Sequence, residues 1–394
     1  MSTRQCPLCA SPDMQPFAAF ENVPPTGILY RQREQSIPHR SLVFDYCTYC
    51  AFIYQRPGLN QPIDYSEVSR PTTTQLPAYA QALIEQFKAF GLDGLTVEVG
   101  CNDGTFLDHL RTAGFGSLLG IEPSTALVTQ AREKGHHVEA LPLDQATAQD
   151  IVSRHGLAQR LVCRHTLEHV PDPLAFLKSV RSLMQEGGLA CIEVPSALPI
   201  IQDLHVHEIW DEHVSYFLPE NLHMTLRMAG FKVERLHSVP YREMQNIVMW
   251  ARAADVHENI VPASARRLQQ CASFNQQWQA RAEQLVQKVM ASPSPRVAMG
   301  ASHPQANFLN FSGLSHLVDC VIDDDPTKQN KWLPLCGNCV PIQPGSALAE
   351  QAAGGTLLLT GFGYPGWMEN ATQAVAGSAA MCIDIAEYSF ETRS

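Results

Sequence analysis

The chain has 394 residues, of which 45% are hydrophobic and 17% charged. That length predicts two or three domains, and that apolar content excludes a mainly disordered chain. A net charge of −11 argues against a nucleic-acid partner, which needs a basic face, and no apolar run is long enough to predict a membrane span. Residues 1–9 are too polar for a secretory signal, so the twelve cysteines predict reduced thiols in a cytoplasm, some of them holding metal.

Four of those cysteines form two Cys-x-x-Cys pairs, Cys6-Pro-Leu-Cys9 and Cys47-Thr-Tyr-Cys50. Each pair can set two thiolates on one tetrahedral ion, so together they predict a closed Zn2+ shell. Such a shell leaves no position for water, and the role expected of it is structural. Alternation in Ser41-Leu-Val-Phe-Asp-Tyr46 predicts a strand running into the second pair. Cys101, Cys163, Cys191, Cys271, Cys320 and Cys382 are isolated and read as small buried hydrophobes. Cys336-Gly-Asn-Cys339 is a third pair with no obvious partner.

Leu76, Tyr79, Leu83, Phe87 and Phe90 recur at helical spacing. Leu95-Thr-Val-Glu-Val-Gly100-Cys-Asn-Asp-Gly104-Thr-Phe-Leu107 then predicts a strand, a glycine turn and a helix start. A second strand ends on Glu122, where a carboxylate can accept from both ribose hydroxyls of a nucleoside. A third strand, Leu161-Val-Cys163, leads into Arg164-His-Thr-Leu-Glu-His169-Val-Pro-Asp-Pro173. A helix over 174–184, a Gly187-Gly188 turn and a strand over 189–194 follow, and this alternation predicts a doubly wound α/β sheet.

Glu98-Val-Gly100-Cys-Asn-Asp-Gly104, Glu122 and His165-Thr-Leu-Glu-His169-Val-Pro-Asp-Pro resemble the motifs of class I S-adenosylmethionine (SAM) methyltransferases. The resemblance implies a Rossmann-like core, with Gly100 and Gly104 under the methionine part of SAM. It also places Glu98 and Asn102 near the polar groups of SAM and Glu122 on the ribose, and counts His165 among the cofactor-binding residues. With the cysteine segment and a Glu-His-x-Ser-Tyr-Phe motif, the whole order is similar to the zinc-containing sugar C-methyltransferases, which act on nucleotide-linked keto-deoxysugars.

Carbon methylation next to a carbonyl requires a base to remove a proton and a donor to meet the enolate oxygen. The segment His205-Val-His-Glu-Ile-Trp210-Asp-Glu212-His213-Val-Ser-Tyr216-Phe217 carries candidates for both. By resemblance His213 is the base and Glu212 its companion; Tyr216 is a donor on chemistry alone. His205 and His207 stand at alternate positions, where a strand would bring them together with His213 as metal ligands. The family commonly has tyrosine where this chain has Trp210.

An amphipathic helix is expected over 263–290, bridging two units or lining a dimer seam, and Ser292-Pro-Ser-Pro295 reads as a linker. A second strand–glycine–helix unit begins at Arg296-Val-Ala-Met-Gly300, and its second strand ends on Asp323-Asp-Asp325. The family's Gly-Lys-Gly-Asn stretch is replaced here by His303-Pro-Gln-Ala-Asn307, which removes a phosphate-pairing charge. The loop from Thr360 to Trp367 is rich in glycine.

The expected organisation is a zinc module (1–60), a SAM domain (61–255), a helical bridge (256–294) and a C-terminal Rossmann-like domain (295–394) that helps to form the acceptor cleft. The expected partner is a small molecule, either a nucleotide-linked keto-sugar or a non-sugar biosynthetic intermediate methylated on carbon, nitrogen or oxygen. A non-catalytic scaffold that merely binds SAM or a nucleotide is the remaining alternative.

Overall fold

The structure is a computed structural model that describes residues 5–25, 27–33, 39–57, 78–89, 93–241, 244–256, 260–359, 365–376 and 380–384. The expected boundary near residue 60, Leu76, Phe90 and most of the 360–367 loop lie outside the described residues.

The N-terminal unit pairs strand β1 (Met14–Val23) antiparallel with β2 (Arg40–Cys47), and β2 with β3 (Ile53–Gln55). Phe17 and Phe44 point into its core.

The middle unit begins with α1 (Ala78–Ala89), whose Leu83 and Phe87 are buried as their spacing predicts. Four strand–helix steps and a fifth strand follow: β4 (Leu95–Val99), α2 (Thr105–Thr112), β5 (Ser117–Ile121), α3 (Thr125–Glu133), β6 (Val138–Glu139), α4 (Gln145–His155), β7 (Ala158–Arg164), α5 (Pro173–Ser182) and β8 (Met184–Pro195). Then come α6 (Leu198–Asp203), β9 (Ser215–Tyr216), α7 (Pro219–Met228), β10 (Phe231–Tyr241) and β11 (Met244–Ala253). The seven-stranded sheet has the order β10-β11-β8-β7-β4-β5-β6, with β11 antiparallel to both neighbours. The strands β4, β7 and β8 are buried on both faces, which is why they read as near-continuous apolar runs. This strand order is that of the class I methyltransferase core which the resemblance implies.

Two local expectations change. The strand after α5 starts at Met184 and runs through Gly187-Gly188 with a register shift against β7. At Gly188 a Cβ would meet carbonyl oxygens of Gln185 and Gln159 at 3.0 and 3.1 Å, so the glycine serves a close backbone approach inside the strand. His205 and His207 lie on and beside a 3-10 turn, Val206–Glu208, and not on a strand.

The C-terminal unit opens with α8 (Ala265–Met290), followed by β12 (Arg296–Met299), α9 (His303–Phe311), β13 (Cys320–Ile322), β14 (Trp332–Leu335), β15 (Asn338–Gln343), α10 (Leu348–Gln351), β16 (Thr356–Leu359), α11 (Pro365–Ala374) and β17 (Met381–Asp384). Its sheet has the order β14-β15-β13-β12-β16-β17, and only the β14–β15 pair is antiparallel. The apolar stripe of α8 is spent within the chain: Phe274 stacks on Phe17 of β1 at 4.4 Å, and Trp278 donates its indole N–H to the Phe311 carbonyl at 3.2 Å. The helix therefore bridges the outer units. The Pro-rich stretch beyond it is pinned, because Thr356 bonds the carbonyls of Pro293 and Pro295.

One strand ignores the sequence order of the units. β9 leaves the middle unit and extends the N-terminal sheet, pairing Ser215 and Tyr216 with Tyr54 and Ile53. The Gln55 N–H also donates to the Val214 carbonyl at 2.9 Å. The segment around His213 is thus tied to the strand that follows the second cysteine pair.

Candidate active site

The turn after β4 turns sharply. Gly100, Asn102 and Gly104 all have positive φ, at 75°, 51° and 77°. Gly100 is required twice: for that φ, and because a Cβ would lie 2.1 Å from Thr166 Oγ1. Gly104 caps α2, and a Cβ there would press on His136 and Ala131 at 2.8 and 3.1 Å. Its glycine therefore serves the packing against α3.

Glu122, just beyond β5, closes the turn. One carboxylate oxygen accepts the Asn102 N–H at 3.0 Å and the other accepts the Ser124 N–H at 2.9 Å. Burial raises its pKa, and those two N–H donors work against the rise. Each oxygen keeps acceptor capacity for a ribose hydroxyl, so the residues present fit an adenosyl group. Glu98 lies deeper, where burial pushes its pKa up to about 8 against the pull of Arg164.

A cavity of about 700 Å³ opens over this turn. Of the residues expected at the cofactor, Gly100, Asn102, Glu122 and His165 line it, while Glu98 and Gly104 sit behind the wall. The same cavity is lined by Asp211, Glu212 and Val214 and by Arg40, Tyr54 and Arg56 of the N-terminal unit. Among the described residues the C-terminal unit supplies no part of this wall. Both arginines are engaged: Arg56 grips Asp45 through two bonds of 2.7 Å, and Arg40 meets Asp211 at 3.3 Å.

The floor is a buried charge network that sequence reasoning did not assemble. His165, with φ 49°, lies between Glu193 and Glu168 at 3.4 and 3.6 Å. Burial opposes charge on this imidazole, but Glu193 and Glu168 outweigh it and raise its pKa to about 9. Glu193 in turn accepts from Arg164 at 2.5 Å and Asn246 at 2.6 Å. A glutamate inside the apolar run Cys191-Ile-Glu-Val194 was the available signal for such a network.

His213 is buried and is not among the residues that line the cavity, although its neighbours Glu212 and Val214 are. Its ring stacks on Trp210 at 5.5 Å and meets the His169 ring edge-on at 4.9 Å. Burial, aided by His169, lowers its pKa to about 3. His169 lines the cavity and donates from Nδ1 to the Glu212 carbonyl at 3.0 Å; a carbonyl can only accept, which fixes the tautomer. The Tyr216 hydroxyl accepts from the Trp210 N–H at 2.9 Å and donates to the Trp210 carbonyl at 3.1 Å. It therefore clasps the 210–216 loop and does not line the cavity. Trp210 also makes a perpendicular ring contact with His303 at 4.9 Å, so two positions that depart from the family pattern touch each other.

Cys6, Cys9, Cys47 and Cys50 converge as their spacing predicts. Their sulfurs lie within 4.8 Å of one another, with Cys6–Cys50 at 3.6 Å and Cys9–Cys47 at 3.5 Å. Sulfurs on one tetrahedral Zn2+ would stand about 3.8 Å apart, so the shell fits that ion. Each pair is followed by an alanine with positive φ, Ala10 at 56° and Ala51 at 58°, so the two knuckles are built alike. Cys336 and Cys339 belong to no cluster of metal-ligating side chains among the described residues.

The sheet order, the glycine turn and the strand-end acid together define a class I methyltransferase fold. Comparison with known proteins agrees and adds the second half. Residues 73–236 match the profile of a methyltransferase domain, and residues 249–362 that of a C-methyltransferase C-terminal domain. The two matched stretches follow one another along the chain. It is 30% identical over 277 residues to the C-methyltransferase NovU of Streptomyces niveus, a match covering 66% of this chain and 64% of that one. The chain therefore spans somewhat less than two thirds of that relative. It is 27% identical over 191 residues to a ubiquinone biosynthesis O-methyltransferase of Xanthomonas axonopodis pv. citri, covering 43% of this chain and 73% of the relative. Among solved structures, a SAM-dependent methyltransferase from Anabaena variabilis aligns with a TM-score of 0.39 and 14% identity, over 47% of this chain and 88% of that one.

Proposed function

We propose that the chain is a SAM-dependent C-methyltransferase that acts beside a carbonyl of a small molecule. The observation that supports this reading is one cavity lined both by Gly100, Asn102 and Glu122 and by Glu212 and Val214. Similarity to NovU supports carbon as the methylated atom.

SAM supplies an electrophilic methyl group. The chain binds and orients it: Glu122 holds the ribose, the Gly100–Asn102 backbone admits the methionine part, and cationic His165 faces its carboxylate. His213 accepts the proton from the acceptor carbon. Its buried ring is neutral over the physiological range, hence ready to accept, although desolvation also makes it a weak base. The Glu168 carboxylate offsets that weakness by stabilising the imidazolium. Glu212 contacts the acceptor, and Tyr216 holds the loop that presents both. The four-cysteine shell holds a structural Zn2+ and fixes the β2–β3 turn, from which β3 reaches β9.

The acceptor is a nucleotide-linked keto-sugar by resemblance, but the charge of the cavity favours a non-sugar carbonyl compound. No lysine lines it among the described residues, and both its arginines are paired with aspartates. A diphosphate would have to displace those pairs.

The test is methyl transfer from trideuteromethyl-SAM to each acceptor class, read by product mass. His213→Ala should abolish transfer while SAM affinity stays within about threefold. Undiminished turnover in that variant would remove His213 from the mechanism. Tight binding of a nucleoside diphosphate by calorimetry would restore the sugar-nucleotide reading.

A further inference from the structure

We propose that His205, His207 and Glu208 form a second metal site, suited to a divalent ion of the zinc type. It is separate from the four-cysteine shell and does not depend on the methyl-transfer reading.

The three residues come from one tight turn, and all are buried, with 8%, 0% and 4% of their surface exposed. One donor atom from each lies within 4.8 Å of the other two. His205 Nδ1 stands 2.8 Å from a Glu208 carboxylate oxygen, and His207 Nε2 stands 4.0 Å from the same oxygen. The two rings lie side by side, 4.9 Å apart and tilted by 34°. Ligands of an ion with bonds near 2.1 Å sit about 3–3.5 Å apart, so closing on a cation requires shifts of about an ångström.

The chemistry of the donors selects the ion. Two imidazoles and one carboxylate suit Zn2+ or a neighbouring first-row ion, whereas Mg2+ and Ca2+ prefer oxygen throughout.

The position suggests what the ion does. The turn packs against α9, and Asn307 of that helix donates to the Ile209 carbonyl at 2.8 Å. An ion here would brace the seam between the middle and C-terminal units immediately before the Trp210–His213 loop. Glu168, His169 and His213 also converge within 4.8 Å, but that cluster belongs to the proposed reaction site.

The test uses the full chain loaded with Co2+. Thiolate-to-cobalt absorption counts the sulfur-bound ion, and elemental analysis counts the total. The expected result is one ion more per chain than the thiolate band explains. Glu208→Gln and His207→Gln should each lose that extra ion and leave the thiolate band unchanged. The band then also reports that the fold persists, and Glu208→Gln keeps the shape of the turn. Total cobalt equal to the thiolate-bound cobalt in the unmodified chain would overturn the proposal. So would retention of the extra ion in both variants.

Discussion

At residues 95–122, and again at 296–323, the chain lays down a strand, a glycine turn, a helix and a second strand ending on an acid. In both, the strand-end acid accepts a backbone N–H of the glycine turn. Glu122 accepts the Asn102 N–H at 3.0 Å, and Asp323 accepts the Ala301 N–H at 2.8 Å. Gly100 and Gly300 both have positive φ, 75° and 90°. What differs is the surroundings. The first turn faces the cavity, and its acid keeps acceptor capacity. In the second, Lys328 reaches Asp323 at 3.0 Å, and His303 at the start of α9 is covered by Trp210 and by Gly27, where a Cβ would lie 1.9 Å from the imidazole. A nucleotide-type turn is therefore not a nucleotide site by itself. The space left in front of it decides.

Four sets of measurements can break or sharpen this contrast. The largest effect is expected at the two acids. Glu122→Ala should weaken SAM binding by about 100-fold, since hydrogen bonds to a charged group are worth about 1.5–3 kcal/mol each. Asp323→Ala should leave SAM affinity within about threefold and lower the melting temperature instead, because Ala301 and Lys328 lose their acceptor. Calorimetric titration and thermal melting separate the two.

Next come the glycines. Gly100→Ala meets Thr166 at 2.1 Å and adds a left-handed backbone penalty of about 1–2 kcal/mol, so SAM affinity and stability should both fall. Gly300→Ala should show the stability loss without the binding loss.

A smaller effect is expected where the second turn is plugged. Trp210→Leu and His303→Ala should each cost about 0.5–1.5 kcal/mol for the edge contact and be non-additive in a double-mutant cycle. Additive losses would mean that the rings do not support each other.

The smallest is a pH effect on stability. The folded pKa of His165 is raised to about 9. Its contribution is complete below the unfolded value of about 6.5 and disappears as pH rises through about 9. The difference in denaturation midpoint between the natural chain and His165→Gln should shrink over that window.

The legible parts of the molecule were those that short-range chemistry specifies. Gly100, Glu122 and the cysteine pairs can be read because a positive φ, a strand-end acceptor and a tetrahedral ion each impose a local pattern. The expected helix over 263–290 was legible because its stripe has one period. The unread parts depend on distant partners. Nothing near Ser215 announces that it pairs with Tyr54, and nothing near His165 names Glu193. For the same reason His205 and His207 looked like alternate strand positions: their turn is set by packing against α9, a contact about a hundred residues away in sequence. Arg40 and Arg56 were missed because their place over the cavity follows from the docking of the N-terminal sheet.

The most direct measurement is a crystal structure with S-adenosylhomocysteine. It should show a single ligand, with its ribose on Glu122 and its sulfur facing the wall of Glu212 and Val214, and none at the 300–323 turn. A ligand bound at Asp323, or one in the first cleft with its sulfur turned away from that wall, would contradict it.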